Sequence, residues 1–258
     1  MTPFKSTAEF YSRFRVPYPE SLVAGLKADA GLGYDARVLD LATGPGRLAL
    51  ALAPSLCQVV AVDVEIEMLE EGKCVARRKG VANIRWVHSR AEDLTVAPGT
   101  VDLVTIGEAF HRLDQDVVLR RIRQWLRAGA CVAIVGCFGV LDGGYAWQES
   151  LRRAVSDWTK ERPAVPSGPP RGKVHDARRL VEAGFADVMN REFVESHTWT
   201  RESVLGHLHS TSRFSLAALG DELDDFDRVV LAALGPDGPD RFPQEVSSGY
   251  TIGWNAGV

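Results

Sequence analysis

Residues 38–48 have the sequence Val38-Leu-Asp40-Leu-Ala42-Thr-Gly44-Pro-Gly46-Arg-Leu48, and this stretch decides the fold. It is typical of a buried strand, a glycine turn and the first residues of a helix, with an acid near the end of the strand. Glycine is favoured where a backbone turns tightly or where a ligand lies against it. The free N–H groups at the start of the helix suit a polar ligand. The stretch therefore predicts a nucleotide-type site in a doubly wound sheet.

The rest of the chain extends this pattern. As far as residue 137, short apolar runs alternate with longer amphipathic runs, which predicts a parallel sheet with right-handed crossovers. We expect a helical lid over 1–34, a Rossmann-like cofactor-binding core over 35–137, a substrate-side insertion over 138–174, and C-terminal strands and helices that complete the core over 175–258. The last extended run, near Val246–Trp254, is predicted to be an edge strand.

Composition limits the classes of function. The chain has 258 residues, 45% of them hydrophobic, and a formal net charge of −4. Without a dominant basic tract, nucleic acid is not expected as the principal partner. No apolar run has the length of a membrane span or a signal-peptide core, so we expect a cytoplasmic protein. Cys57 and Cys131 lie in apolar runs and are expected to be reduced core residues. No set of residues resembles a metal site, and the oligomeric state is not apparent.

The residues around the glycine turn bear on the ligand. Gly44-Pro-Gly46-Arg-Leu-Ala49 also satisfies the loose dinucleotide pattern, so an NAD-dependent oxidoreductase is one interpretation. Asp40 favours a ligand with an ammonium group over a pyrophosphate. Asp63, at the end of the second strand, is placed to accept both ribose hydroxyls. Ala91-Glu92-Asp93, after the third strand, offers acids to an adenine amine.

At these positions the chain resembles the class I S-adenosylmethionine-dependent methyltransferases. Residues 40–46 are similar to the glycine motif of that family, Val62-Asp63 to its ribose-binding acid, and Ala91-Glu92-Asp93 to its adenine motif. Residues 107–114, Gly-Glu-Ala-Phe-His-Arg-Leu-Asp, resemble a small-molecule subgroup related to trans-aconitate methyltransferase. That subgroup has two aromatic residues where this chain has Arg112 and Leu113. Residues 10–19 resemble its N-terminal lid.

The resemblance implies an α/β fold, with a doubly wound sheet of seven strands that is mostly parallel and has an antiparallel last strand, plus a helical lid. It also implies S-adenosylmethionine as the cofactor, bound across the carboxyl ends of strands one to four. Between Glu92 and Asp93, we expect Asp93 to face the adenine and its neighbour to cap the next segment. Asp40 either lies near the amino-acid end of the cofactor or stabilises the turn. The expected cofactor contacts are Tyr11, Arg15, Asp40, Ala42, Thr43, Gly44, Gly46, Asp63, Val64, Met68, Ala91, Glu92, Asp93, Gly107, Ala109 and Phe110.

The leading hypothesis is methyl transfer to a small organic acceptor, at oxygen, nitrogen or a carboxylate. His111 is the candidate general base because imidazole titrates near neutrality, although a capping or packing role is equally open. Glu108 either binds the acceptor or satisfies backbone donors. The alternatives are the NAD-dependent oxidoreductase, a non-catalytic cofactor-binding regulator, and a reaction that uses S-adenosylmethionine without methyl transfer.

Overall fold

The computed structural model describes residues 7–160, 162, 173–235 and 240–257. The predicted lid and insertion lie partly outside these residues. Among the residues described, no helix combines the length and apolar composition needed to cross a membrane. The chain divides into two compact units: a sheet unit, with described residues 17–137, 173–193 and 248–257, and a helical unit, with described residues 7–16, 138–160, 162, 194–235 and 240–247.

Seven strands form one sheet within the described residues, as predicted. They are β1 (Arg37–Leu41), β2 (Gln58–Asp63), β3 (Ile84–His88), β4 (Val101–Gly107), β5 (Leu126–Cys137), β6 (Ala186–Trp199) and β7 (Phe242–Trp254). The strand order is β3-β2-β1-β4-β5-β7-β6. The first five strands pair in parallel, and β7 pairs antiparallel with β5.

The prediction that the last strand lies at the edge is wrong, because β7 lies between β5 and β6. The residues of β7 from Ser248 to Gly253 are all buried, as a strand with neighbours on both sides requires. The edge strand is β6, whose exposed positions include Asp187, Arg191 and Glu192. Charged side chains of this kind are common on edge strands.

Ten α-helices occur in the described residues. They are α1 (Ala8–Phe14), α2 (Glu20–Asp29), α3 (Arg47–Leu52), α4 (Ile66–Arg78), α5 (Gln115–Trp125), α6 (Ala146–Lys160), α7 (Lys173–Glu182), α8 (Arg201–His209), α9 (Leu216–Leu219) and α10 (Leu223–Ala233). The sheet unit contains α2 to α5 and α7, and the helical unit contains the others.

The core of the sheet unit lies on both faces of the sheet. On one face, Val104 and Val132 pack with α5 and α7. On the other face, Leu103 and Ala133 pack with α2 and α3. Burial on both faces explains the continuous apolar runs of these strands. Cys131 is buried as expected, but the expectation for Cys57 is wrong: it is exposed, because it precedes β2.

The strand order also locates a crevice. The chain proceeds from β1 to β2 and β3 on one side, and from β4 to β5 on the other, so β1 and β4 are neighbours at a switch point. In open α/β sheets, ligands bind outside the carboxyl ends of the strands at such a point. Here those ends carry the turn after β1 and the loop after β4.

Candidate active site

The turn after β1 has an unusual backbone. Ala42, Gly44 and Gly46 have φ values of 49°, 57° and 75°, in the left-handed region. The N–H of Thr43 donates to the carbonyl of Val62 at 3.0 Å, which ties the turn to β2. A Cβ added at Gly44 would meet no atom within 4 Å. The backbone of the turn is therefore open to a ligand at Gly44.

Asp40 stabilises this turn through a hydrogen bond to its carboxylate. Its side chain is 1% exposed, and its carboxylate accepts hydrogen bonds from the hydroxyl of Thr43 and, at 2.7 Å, from that of Thr105. Burial raises the pKa of Asp40 to about 6, although the hydroxyl donors lower it. Between the two roles left open by the sequence, these contacts support stabilisation of the turn, and a contact with the cofactor stays a prediction.

Asp63 links the end of β2 to the glycine turn. Its Oδ2 accepts from the N–H of Gly44 at 2.7 Å, and its Oδ1 accepts from the N–H of Glu65 at 2.8 Å. Burial raises the pKa of Asp63, and these backbone donors oppose the increase. A carboxylate has about four lone-pair sites, so Asp63 keeps some capacity to accept from a ligand hydroxyl.

Apolar side chains lie next to this acid in the sequence. Val64 and Ile66 are exposed, at 51% and 49%, whereas Met68 is buried. Exposed aliphatic side chains beside a buried acid provide an apolar surface next to hydrogen-bond acceptors. Such a mixed surface suits a nucleoside, which has a ring to pack and hydroxyls to bind.

Trp86 is a structural residue of the site that sequence reasoning missed. A Cβ added at Gly46 or at Gly72 would lie 2.4 or 2.5 Å from its ring. Both positions must therefore be glycine for the indole to pack between the turn and α4. The available signal was Gly72 within the apolar face of a helix, where glycine is otherwise unfavourable.

The acids after β3 differ in environment. Oε1 of Glu92 accepts from the N–H of Asp114 at 3.1 Å, just before α5, and the Glu92 side chain is 14% exposed. The Asp93 side chain is 70% exposed and lies 3.7 Å from Arg90. Ala91 is buried. Asp93 is thus the acid accessible to a ligand, as the predicted division of roles requires, but its contact with adenine stays a prediction.

The loop after β4 lies beside the turn, across the switch point. Glu108 has φ 58°, and its Oε1 accepts from the N–H of Cys137 at 2.7 Å, which joins the ends of β4 and β5. Ala109 and Phe110 are buried, and His111 is partly buried in a short 3₁₀ helix, Phe110–Arg112. Glu108 therefore satisfies a backbone donor, one of its two predicted roles.

Tyr18 is a second residue that the sequence did not single out. A Cβ added at Gly107 would lie 2.8 Å from its hydroxyl oxygen, and the Arg47 guanidinium stacks over its ring at 4.8 Å. Because Arg47 is the first residue of α3, this stack brings the segment before α2 to the glycine turn. The signal was the aromatic and proline run at 17–19, interpreted only as part of a lid.

The predicted lid residues Tyr11 and Arg15 belong to the helical unit. The Arg15 guanidinium lies 4.8 Å from the centre of the Tyr11 ring, and its Nε donates to the Ser210 hydroxyl at 2.8 Å. These contacts join α1 to the end of α8. Their predicted contact with the cofactor stays a prediction.

The histidines near residue 209 have structural partners. In the helical unit, Nδ1 of His209 lies 2.9 Å from the carbonyl oxygen of Phe214, and its Nε2 lies 3.0 Å from Asp227. The ring of His207 packs edge-on against Trp199. In the described part of the chain, no three His, Cys, Asp or Glu side chains form a group that could hold a metal ion.

Residues 38–129, which include the turn and both acids, match the family model described as a methyltransferase domain. A methyltransferase domain therefore lies within this part of the chain. This assignment agrees with the predicted cofactor, and it decides against the oxidoreductase that shares the loose glycine pattern.

Known proteins are similar to this chain over different lengths. An uncharacterized methyltransferase of Bacillus subtilis, YcgJ, is 33% identical over 127 residues, which are 49% of each chain. Its crystal structure has a TM-score of 0.59 at 16% identity and covers 93% of this chain and all of that one, 100%. An uncharacterized methyltransferase of Schizosaccharomyces pombe is 21% identical over 91% of this chain and 90% of its own length.

A third relative has been solved with the cofactor. Phosphoethanolamine N-methyltransferase 2 of Haemonchus contortus, in complex with S-adenosyl-L-methionine, has a TM-score of 0.55 at 18% identity. The match covers 99% of this chain and 58% of that one. At this identity the likeness concerns the fold of the methyltransferase domain.

Proposed function

We propose that the protein transfers a methyl group from S-adenosylmethionine to a small organic acceptor, at oxygen, nitrogen or a carboxylate. The observation that carries this proposal is the linkage of Asp63 to Gly44 beside open space. This linkage places a nearly buried carboxylate, a backbone turn that is open at Gly44 and an exposed apolar surface within one loop cluster.

The residues of the sheet unit fit the parts of the cofactor. Asp63 binds the ribose hydroxyls with its remaining lone pairs, and Val64 with Met68 borders the adenine. Asp93 accepts from the adenine amine, next to Ala91. The backbone of the turn holds the amino-acid end, with Asp40 fixing its shape. Gly107, Ala109 and Phe110 border the reacting group. In the helical unit, Tyr11 and Arg15 serve as a lid.

Catalysis by these residues is largely alignment. When bound, the cofactor supplies an electrophilic methyl group on a sulfonium, so an acceptor held in line needs little activation. An acceptor that arrives as a hydroxyl or an ammonium must lose a proton, and His111 accepts it at a ring nitrogen. Glu108 acts by fixing the ends of β4 and β5, since its Oε1 holds the N–H of Cys137.

We further propose that the chain belongs to the small-molecule subgroup related to trans-aconitate methyltransferase. Support comes from Ala109-Phe-His-Arg-Leu-Asp114, which keeps the alanine, phenylalanine, histidine and aspartate of the subgroup pattern. The buried Ala109 and Phe110, and Asp114 as the N-cap of α5, give three of these residues structural roles. Arg112 and Leu113 replace two aromatic residues of the pattern, so the acceptor of the subgroup is not carried over to this chain.

Calorimetry with S-adenosylhomocysteine tests the cofactor assignment. We expect saturable binding, and its absence at millimolar ligand would reject the proposal. Binding without any S-adenosylhomocysteine formed from S-adenosylmethionine and a panel of small carboxylic acids, phenols and amines would favour the non-catalytic regulator.

A histidine variant tests the general base. With any acceptor that reacts as a hydroxyl or an ammonium, His111→Ala should lower turnover by about 10²-fold or more and leave the affinity for S-adenosylhomocysteine unchanged. Full turnover in this variant would remove His111 as the base.

A further inference from the structure

The sheet unit has a large cleft far from the glycine turn. It has a volume of about 970 Å³, and its lining includes Gly99, before β4, and Leu126, the first residue of β5. These residues mark the amino ends of the parallel strands. The strand β4 has seven residues, and at 3.3 Å per residue the cleft lies about 20 Å from the carboxyl edge. The cleft is therefore separate from the candidate active site.

Four arginines line this cleft, from two helices and a strand: Arg120, Arg123, Arg127 and Arg179. Arg120 and Arg123 are three residues apart on α5, so their side chains lie on one helix face. Arg179 lies on α7, and Arg127 is the second residue of β5. The chain as a whole has a net charge of −4, so this concentration of positive charge is local.

Two of these arginines are neutralised by acids. Arg179 forms ion pairs with Asp116 and, at 3.0 Å, with Glu182, and these are the acids that line the cleft. Arg127 forms an ion pair with Asp102 on β4. The acids near the cleft are therefore already paired.

For the other two arginines, Arg120 and Arg123, the described residues supply no acid that compensates the positive charge. Within the described residues, Arg120 has neither an ion pair nor a hydrogen bond, and it is exposed. Arg123 donates through Nη1 to the carbonyl of Ala183 at 3.2 Å, but its Nε is buried with no hydrogen-bond partner among those residues. Because this Nε is closed to solvent, a ligand in the cleft can meet only the terminal nitrogens of Arg123, which lines the cleft.

We propose that this cleft is a second binding site, for a small organic molecule with a phosphate monoester. A guanidinium binds phosphate through paired N–H donors, and two adjacent guanidinium groups suit its double charge. Leu119, Leu126 and Ala183 add an apolar wall, and the volume is that of a small-molecule site rather than of a single ion. The phosphate lies between Arg120 and Arg123, and the organic group lies against the wall.

Titration calorimetry with benzyl phosphate tests the site in the full chain. We expect saturable binding, tighter than that of inorganic phosphate, and no binding of benzyl alcohol. Because the Arg120 guanidinium has no partner in the described ranges, Arg120→Gln should fold normally and bind benzyl phosphate about tenfold more weakly, as expected for losing charged hydrogen bonds. Arg85→Gln is the matched control: Arg85 is exposed on β3, its guanidinium has no ion pair or hydrogen bond in the part of the chain that the structure describes, and its removal should change nothing.

Three outcomes would overturn the proposal. The first is no saturable binding of benzyl phosphate up to about 10 mM. The second is equal affinity in Arg120→Gln and the unchanged protein. The third is binding that is lost in Asp63→Ala but kept in Arg120→Gln, which would put the phosphate at the carboxyl edge. None of these outcomes depends on methyl transfer, so the site and the proposed function can fail separately.

Discussion

The charged side chains at the two edges of the sheet differ in how many partners the protein gives them. At the carboxyl edge, Asp40 and Asp63 are nearly buried, and both accept hydrogen bonds from the turn between their strands. At the amino edge, the arginines of the cleft extend from separate elements, and Arg120 has no partner among the described residues. At the first edge, the acids stabilise the turn through hydrogen bonds within the protein. The second leaves charge available to a ligand.

This difference follows from how each edge is assembled. At the carboxyl edge, the hydroxyls of Thr43 and Thr105 donate to Asp40, and the N–H groups of Gly44 and Glu65 donate to Asp63. Three of these four donors lie within 19 residues of the acid that they contact. The amino edge brings together α5 and α7, which are about 50 residues apart in the sequence. Its electrostatics therefore depend on tertiary packing, and the arginines look like an ordinary solvated helix face in the sequence.

A glycine substitution at each edge gives the largest expected contrast. Gly46→Ala puts a Cβ 2.4 Å from the Trp86 ring at a φ of 75°, so it combines overpacking with a strained backbone. We expect the free energy of unfolding to fall by about 2–4 kcal/mol, measured by urea denaturation. Gly99→Ala, at the cleft, has a similar φ of 64° but no atom within 4 Å of the new Cβ.

This control should lose only the backbone contribution, about 1–2 kcal/mol. Equal losses at Gly46 and Gly99 would mean that the indole moves aside. In that case the close packing of Trp86 against the turn would not be what requires glycine at position 46.

Removal of the ribose acid is the next largest effect. Asp63→Ala deletes the acceptor of the Gly44 N–H as well as the proposed ribose contact. We expect affinity for S-adenosylhomocysteine to fall by about 1–3 kcal/mol, as for loss of a charged hydrogen-bond partner, measured by calorimetry. Arg120→Gln should bind this ligand as the unchanged protein does. Unaltered affinity in a folded Asp63→Ala protein would contradict the site.

Much of the first edge was predictable because it is local. The order of strands and helices up to residue 137, the glycine turn and the acid after β2 follow from hydrophobic periodicity and turn chemistry. The placement of β7 between β5 and β6 was missed, since strand order depends on tertiary pairing. Even so, the sequence distinguished the two strands: β6 is polar, as suits an edge strand, whereas Tyr250–Trp254 is mostly apolar, as suits a strand with two neighbours.

Residues that act across the sequence were harder to find. Trp86 packs on glycines from two other elements, and Tyr18 approaches the end of β4. Each looks like a core aromatic in isolation, and only the folded chain shows its partner. The same reason explains Cys57, whose exposure depends on where β2 begins.

A pH experiment separates the edges by their chemistry. Burial raises the pKa of Asp40 from its ordinary value of 3.8 to about 6 in the folded protein, so it favours the protonated form. Its contribution to stability is therefore greatest at low pH and is lost as pH rises through about 6. Between pH 5 and 7.5, the unchanged protein should lose about 1–1.5 kcal/mol relative to Asp40→Asn, measured by urea unfolding at each pH.

Arginine stays charged over this range, so Arg120→Gln should have the same pH profile as the unchanged protein. A parallel profile for Asp40→Asn as well would show that Asp40 titrates as an ordinary carboxyl. That result would contradict the inference that burial raises the pKa of Asp40.

The smallest expected effect divides the carboxyl edge itself into a structural acid and a ligand-binding acid. Glu92→Ala removes the acceptor of the Asp114 N–H before α5, so unfolding free energy should fall by about 0.5–1.5 kcal/mol. Asp93→Ala changes an exposed side chain, so stability should hold while affinity for S-adenosylhomocysteine falls by about 0.5–1 kcal/mol. Urea denaturation measures the unfolding free energy of both variants, and calorimetry measures their affinity for S-adenosylhomocysteine. If Glu92→Ala loses the affinity instead, the adenine lies against Glu92, and the assignment of Asp93 is reversed.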